Sequence, residues 1–452
     1  SHFYIVNNQT NYLFQNIEAT FLAANIEYLK GNFKESVKIL TSIPNESFAY
    51  GEYGESSTLM FYNNMGVLHH AMGKPNLACH YVQMALKEDI NISQNNAKKD
   101  NNERPLFTLG GSKYHELMYN LGISLLHTGR PSQAFDCLII AVRRYHRNSL
   151  LWMRLAECCI MFHKETNETD FDIQRKQKEL IIEVVGSKDK QKIVLTSNLS
   201  KDKKYSTESQ SYAVPVPSLE FASLCLRNAS LLIPSDTASP PVPLFLIPGV
   251  TPPAPPPSPS PSPSSPLSIT GIATLRNSIL IASAYVSLCL GDYILTLEYS
   301  KELLEQTRIS GVHKLLAHLY AAESLVLLDK ISEAVEYLNP ENVKDISFEI
   351  PPDEEKSDES SIKTNPPPKW SPNSLASAHS VMQYNIAVAK TIRGQLDQAA
   401  TLLKQIWQQR SSNCKVPAHI IMLVIYIELQ LGHTDIARNL IRQYSFQHRI
   451  SG

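Results

Sequence analysis

One spacing constrains this chain more than any other feature. Tyr62, Met65, Gly66, Gly73, Ala78, Val82 and Ala85 are matched, offset for offset, by Met118, Leu121, Gly122, Gly129, Ala134, Leu138 and Ala141. Each set reads as two helices joined by a tight turn. Large apolar residues fill the space between the helices, while Gly66 and Gly122 stand where the helices must approach closely. Gly73 and Gly129 end the first helix, where a backbone with φ > 0 is cheap only for glycine. Ala78, Ala85, Ala134 and Ala141 keep the second helix slim enough for a neighbour to stack.

A helical pair of this size cannot bury its apolar face alone, so the pattern must recur. It does. Tyr28 to Gly31 close a first helix, with Ser36, Leu40 and Ile43 at second-helix offsets. Trp152, Leu155 and Ala156 begin another, whose second helix resumes only at Ala222, Leu226 and Ala229, before Pro234. Ala284, Gly291 and Leu303 mark the next pair, and Ala321, Ala322, Ala334 and Leu338 the one after it. Ile386, Gly394, Ala399 and Leu403 follow, then Val424, Gly432, Ala437 and Ile441. The unit has the ~34-residue helix–turn–helix grammar of the tetratricopeptide repeat. The fold class is all-α: a right-handed superhelix of about eight helix pairs with long disordered insertions.

The domain plan follows. Repeats occupy 1–163, an insertion 164–217 splits a repeat, and 218–234 supplies its second helix. A Pro/Ser-rich linker covers 235–268 and holds nearly half of the chain's 28 prolines, a composition suited to polyproline II. Repeats resume over 269–341, an acidic, Pro-rich loop spans 342–372, and the last pairs fill 373–452. Residues 93–112 read as a loop. Such insertions cost little stability, because loop-closure entropy grows only logarithmically with length.

Composition excludes several classes. With 42 basic and 43 acidic side chains the net charge is −1, so no overall field favours nucleic acid. Lys188 to Lys192 and Lys201 to Lys204 read as solvated loop charge. No apolar run approaches the ~20 residues of a membrane span. Six cysteines (Cys79, Cys137, Cys158, Cys159, Cys225 and Cys289) fall at core offsets without paired spacing, which fits reduced thiols inside a cell.

Candidate chemistry is thin. His69, His70, Cys79 and His80 take packing offsets rather than converging as zinc ligands. His115-Glu116 lacks a second histidine, and Gly110 to Lys113 lacks the spacing of a phosphate loop. Glu157, Cys158 and His163 have no accompanying oxyanion-stabilising feature. Neither a catalytic residue nor a metal or cofactor site is assigned. The P-x-x-P spacing of Pro253 to Pro256 lacks the flanking arginine of an SH3 ligand, so linker is preferred; Ser258, Ser260, Ser262 and Ser265 precede prolines and are expected phosphorylation sites.

Binding is expected on the concave wall lined by first helices. Its exposed positions include Met60, Asn63, Val67 and His70, then Glu116, Tyr119 and Ile123. Asn64, Asn120 and Asn385 precede the core residue, either to hydrogen-bond a ligand backbone or to satisfy a neighbouring helix. Chaperone-type clamps need Lys, Asn and Arg together. Here only Arg154 is basic, so a protein partner of another kind is expected. RNA binding is disfavoured because aromatic platforms are not regularly spaced.

Several stretches exceed generic repeat packing. Phe21 to Leu40, Asn64-Met65-Gly66, Leu126 to Pro131, Ala134 to Ile139, Leu151 to Ile160, Ile193 to Leu195, Glu220 to Ala229, His318 to Glu323 and Leu338 to Val343 resemble the family of subunit ten of the CCR–NOT mRNA deadenylase complex. The chain is similar to that family's C-terminal portion, since it starts at Ser1 and the family is longer at its N-terminus. The resemblance implies a non-catalytic scaffold, cytoplasmic and nuclear. It would bind subunit eleven and the N-terminal arm of the large NOT scaffold, without direct contact to membrane or RNA, in support of mRNA turnover and translational repression. The proline tract departs from the family's usual insertion. A tetratricopeptide adaptor that binds short peptides outside RNA metabolism is the alternative.

Overall fold

A computed structural model describes residues 17–43, 56–97, 112–166, 181–186, 192–195, 215–233, 269–344, 374–409 and 418–445. Sixteen α-helices form eight consecutive pairs among them. They are α1 Ile17–Leu29 with α2 Phe33–Thr41, α3 Ser57–Ala71 with α4 Pro75–Ala97, and α5 Tyr114–His127 with α6 Pro131–Tyr145. Helix α7 Ser149–Thr166 pairs across the insertion with α8 Leu219–Leu231. Then come α9 Ile269–Leu290 with α10 Tyr293–Leu304, α11 Gly311–Leu327 with α12 Ile331–Tyr337, α13 Leu375–Ile392 with α14 Leu396–Gln409, and α15 Ala418–Gln430 with α16 Thr434–Ser445. The fold is an all-α tetratricopeptide superhelix.

Local chemistry sets the helix ends. Ser56, Ser218, Asp292, Ser310 and Ser374 each accept a backbone N–H in the first turn of the helix that follows, which satisfies an otherwise orphan donor. Pro75 and Pro131 open α4 and α6, where a missing N–H costs nothing. The turn glycines Gly73 and Gly129 have φ of +69° and +72°. In the α11–α12 turn the same place is held by Asp329 at φ +61°. Aspartate tolerates that region less well than glycine. Asp329→Gly is therefore expected to stabilise the protein by ~0.5–1 kcal/mol, read as a higher denaturation midpoint.

Packing within a pair is tight. A Cβ on Gly122 would lie 2.7 Å from Cγ and Cδ2 of Leu138, and one on Gly66 2.7 Å from Cγ2 of Val82. Leu138 and Val82 are buried and cannot retreat. Gly122→Ala is expected to cost ~1–3 kcal/mol through overpacking, measured as a lower urea midpoint with unchanged helical content. Ala78, Ala85, Ala134, Ala141, Leu155, Ala222, Ala334 and Ala399 are fully buried, with Ala437 close behind. Trp152 is half-buried and donates its Nε1–H to His146 O at 2.7 Å. The largest core cluster runs from Leu59 on α3 to Val286 on α9, continuous across the insertion.

The structure departs from the sequence reading in several places. Helix α4 continues to Ala97, so part of the loop expected over 93–112 is helical. Helix α7 reaches Thr166 and enters the expected insertion, which also carries a two-stranded antiparallel hairpin, β1 Ile181–Val185 with β2 Lys192–Leu195. Pro340–Val343 form a 3-10 turn capped by Asn339. Cys289 is exposed rather than core. Ile441 is 52% exposed rather than core, and Ile425 stands at the offset that Gly66 holds in its own pair. The proline tract 235–268 and its serines lie outside the described residues, as do residues 345–373.

One apolar segment is longer than the sequence reading allows. Gly271–Leu290 is long and apolar enough to cross a membrane, with a mean hydropathy of 1.4. Its setting is a helix–helix core, with half of the segment buried. Asn277 inside it donates Nδ2–H to Arg308 O at 2.6 Å, and α8, α10 and α11 pack around it.

Candidate protein-binding wall

Consecutive first helices touch directly: α3 meets α5, α7 meets α9, α9 meets α11, α11 meets α13, and α13 meets α15. Second helices make no comparable contact with one another among the described residues. The first helices therefore crowd the inside of the curve and form its inner wall, as stacking of wedge-shaped pairs requires.

The predicted wall residues are half-buried rather than exposed: Met60, Asn63, Asn64, Val67, His70, Glu116, Tyr119, Asn120, Ile123 and Asn385. Neighbouring helices cover their flanks. Asn120 donates Nδ2–H to Asn63 Oδ1 at 2.9 Å across α3 and α5, so this amide is spent on its neighbour. His70 meets His127 edge to face at 4.7 Å. Tyr145 donates its hydroxyl to Glu116 Oε1 at 3.1 Å. Arg154 donates to Glu157 Oε2 at 2.6 Å on its own helix, which neutralises the one basic group that a clamp could have used.

Burial dominates the electrostatics. It pushes the Tyr119 hydroxyl up to about 12, and it draws the His70 imidazole below its usual range with help from His127 and Arg154. The thiols are likewise held protonated: burial raises Cys137 to about 11 and Cys159 to about 12, with Cys158 and Cys225 higher still. Such thiols make poor nucleophiles. His69 is buried and stacks on Tyr81 at 5.2 Å, while His80 points outward. Among the described residues no three His, Cys, Asp or Glu side chains gather as a metal site.

In the C-terminal half of the wall, the sequence points only to Asn385. Tyr285 on α9 and Tyr320 on α11 lie 6.0 Å apart, and Tyr384 on α13 meets His419 on α15 at 4.9 Å. These aromatic residues occupy different offsets within their helices, so no fixed spacing announces them. Only the stacking of helices brings them side by side.

Known proteins bear on this arrangement. Residues 274–435 match a family model described as the CNOT10 tetratricopeptide repeat domain. The chain is 38% identical to CCR4-NOT transcription complex subunit 10-A of Xenopus laevis over 94% of its length, covering 60% of that relative. It is also 38% identical to CCR4-NOT transcription complex subunit 10 of Danio rerio, covering 94% of this chain and 73% of the relative. A tetratricopeptide repeat protein from Parabacteroides merdae is similar at 10% identity with a TM-score of 0.42, over 87% of this chain and 94% of that one. The chain thus spans about 60% of the length of the Xenopus relative.

Proposed function

This chain belongs to the CCR4-NOT transcription complex subunit 10 family, and on that premise we propose that it is a non-catalytic scaffold subunit of that complex. It holds subunit eleven and the N-terminal arm of the large NOT scaffold, in cytoplasm and nucleus, and so supports deadenylation carried out by other subunits. The observation that carries this reading is the 38% identity sustained over 94% of the chain. Repeat packing alone asks only for size and polarity at a minority of positions. The wall agrees with a binding role: Asn120 pairs with Asn63, Tyr145 with Glu116 and Arg154 with Glu157, while Met60, Val67, Tyr119 and Ile123 leave it partly apolar.

The test is recovery from cell extract. A tagged chain is expected to co-purify with the large NOT scaffold and subunit eleven, and to retain both through a high-salt wash, since an apolar interface is not screened as phosphate contacts are. The purified chain alone should leave a poly(A) substrate intact. Recovery of neither partner would overturn the assignment.

A further inference from the structure

Four successive first helices each carry one tyrosine on the inner wall: Tyr285 on α9, Tyr320 on α11, Tyr384 on α13 and Tyr426 on α15. The Tyr285 and Tyr320 rings adjoin across α9 and α11, and the Tyr384 ring meets His419 across α13 and α15. Tyr426 lies two turns beyond His419 on the same face and is 50% exposed; the other three are half-buried. Lys164 Nζ sits 4.7 Å from the centre of the Tyr285 ring and extends this surface to α7.

Spacing selects the ligand. Packed helices stand about 8–10 Å apart, and one turn of polyproline II advances about 9 Å, three residues at ~3.1 Å each. A proline-rich strand crossing the first helices would therefore advance about one turn per helix and offer a ring to each tyrosine. Aromatic grooves favour such strands because little conformational freedom is lost on docking. Phosphate is a poorer match, since Glu323 lies beside Tyr320.

The sequence supplies a ligand of this chemistry. Residues 251–266, outside the described residues, are dominated by proline and join the segment that leads into α9, the helix carrying Tyr285. We propose that the tyrosine wall of α9, α11, α13 and α15 binds proline-rich polypeptide, and that residues 251–266 of this chain are its ligand. Tethering supplies an effective concentration on the order of millimolar, so a weak intrinsic affinity suffices for occupancy. An incoming partner would have to displace the tract. The inference does not depend on complex membership and stands or falls separately.

The experiment replaces residues 251–266 with a Gly/Ser tract of equal length and titrates in a labelled peptide of the original residues, read by fluorescence anisotropy. The replaced protein is expected to bind, and Tyr384→Ala or Tyr426→Ala to weaken binding by about two- to tenfold, the worth of one aromatic contact. Tyr426 is exposed, so its removal leaves the core intact. The unreplaced protein is expected to bind added peptide at least about tenfold more weakly, because the tethered tract competes. Absence of binding to the replaced protein would overturn the wall as a proline site. Equal binding by both proteins would overturn residues 251–266 as its ligand. A peptide with alanine at every proline that binds equally well would overturn the polyproline geometry.

Discussion

Replacing Phe135 with alanine is expected to lower stability by ~3–5 kcal/mol, the cost of emptying an aromatic site in a core that cannot collapse. Phe135 is among the largest fully enclosed side chains of the protein. It sits on α6 and meets Phe221 of α8 edge to face at 5.5 Å. That contact carries more than area. Helix α8 follows α7 only after the long insertion, so chain connectivity does little to hold it in place. Its seat depends on packing against α7 and α9, with Phe221 reaching across to Phe135 of α6. Urea denaturation should show the loss, and amide exchange should rise first in α8 and the adjoining face of α7. Phe135→Leu should recover most of the stability. Protection in α8 that is unchanged in the alanine variant would mean that α7 and α9 hold the helix without the Phe135 contact.

The second large effect is acid lability centred on α11. His318 is buried, its Nδ1 has no hydrogen-bond partner, and its ring lies 5.9 Å from that of Tyr337. Burial pushes its pKa down to about 4, with Lys314 adding to the shift and a backbone hydrogen bond at Tyr337 opposing it in part. The folded value lies below the unfolded one near 6.5, so between them the unfolded chain binds more protons. Stability is then full above pH ~6.5 and falls as pH drops toward 4, by ~3 kcal/mol once the ring is charged. His69, His70, His313 and His419 are drawn down by burial too and act in the same direction. His318→Leu should flatten the dependence of the melting temperature on pH within this window, whatever it does to stability at neutral pH. An unaltered slope would place the acid sensitivity elsewhere.

Contacts inside one helix pair were legible because they depend on spacing alone. Gly66 opposite Val82 and Gly122 opposite Leu138 are set by a short turn and the helical repeat, both written in local sequence. Positive φ at Gly73 and Gly129 follows from the same turn. The asparagines show the limit of this reasoning. Nothing in the sequence chooses between ligand and neighbour for Asn120; the approach of α3 to α5 chooses Asn63. The final pair shows it again, because Ile441 sits at a core offset by count and is exposed in the structure.

The amino-acid order by itself determined that hairpins of helices form, where they turn and which faces they bury, since i to i+4 neighbours and turn glycines act within a few residues. Tertiary structure alone decided which side chains of separate hairpins meet: Phe135 with Phe221, Tyr285 with Tyr320, Tyr384 with His419. Those meetings depend on the rotation and rise from one hairpin to the next. Many small packing contacts fix that step together, and no single spacing encodes it.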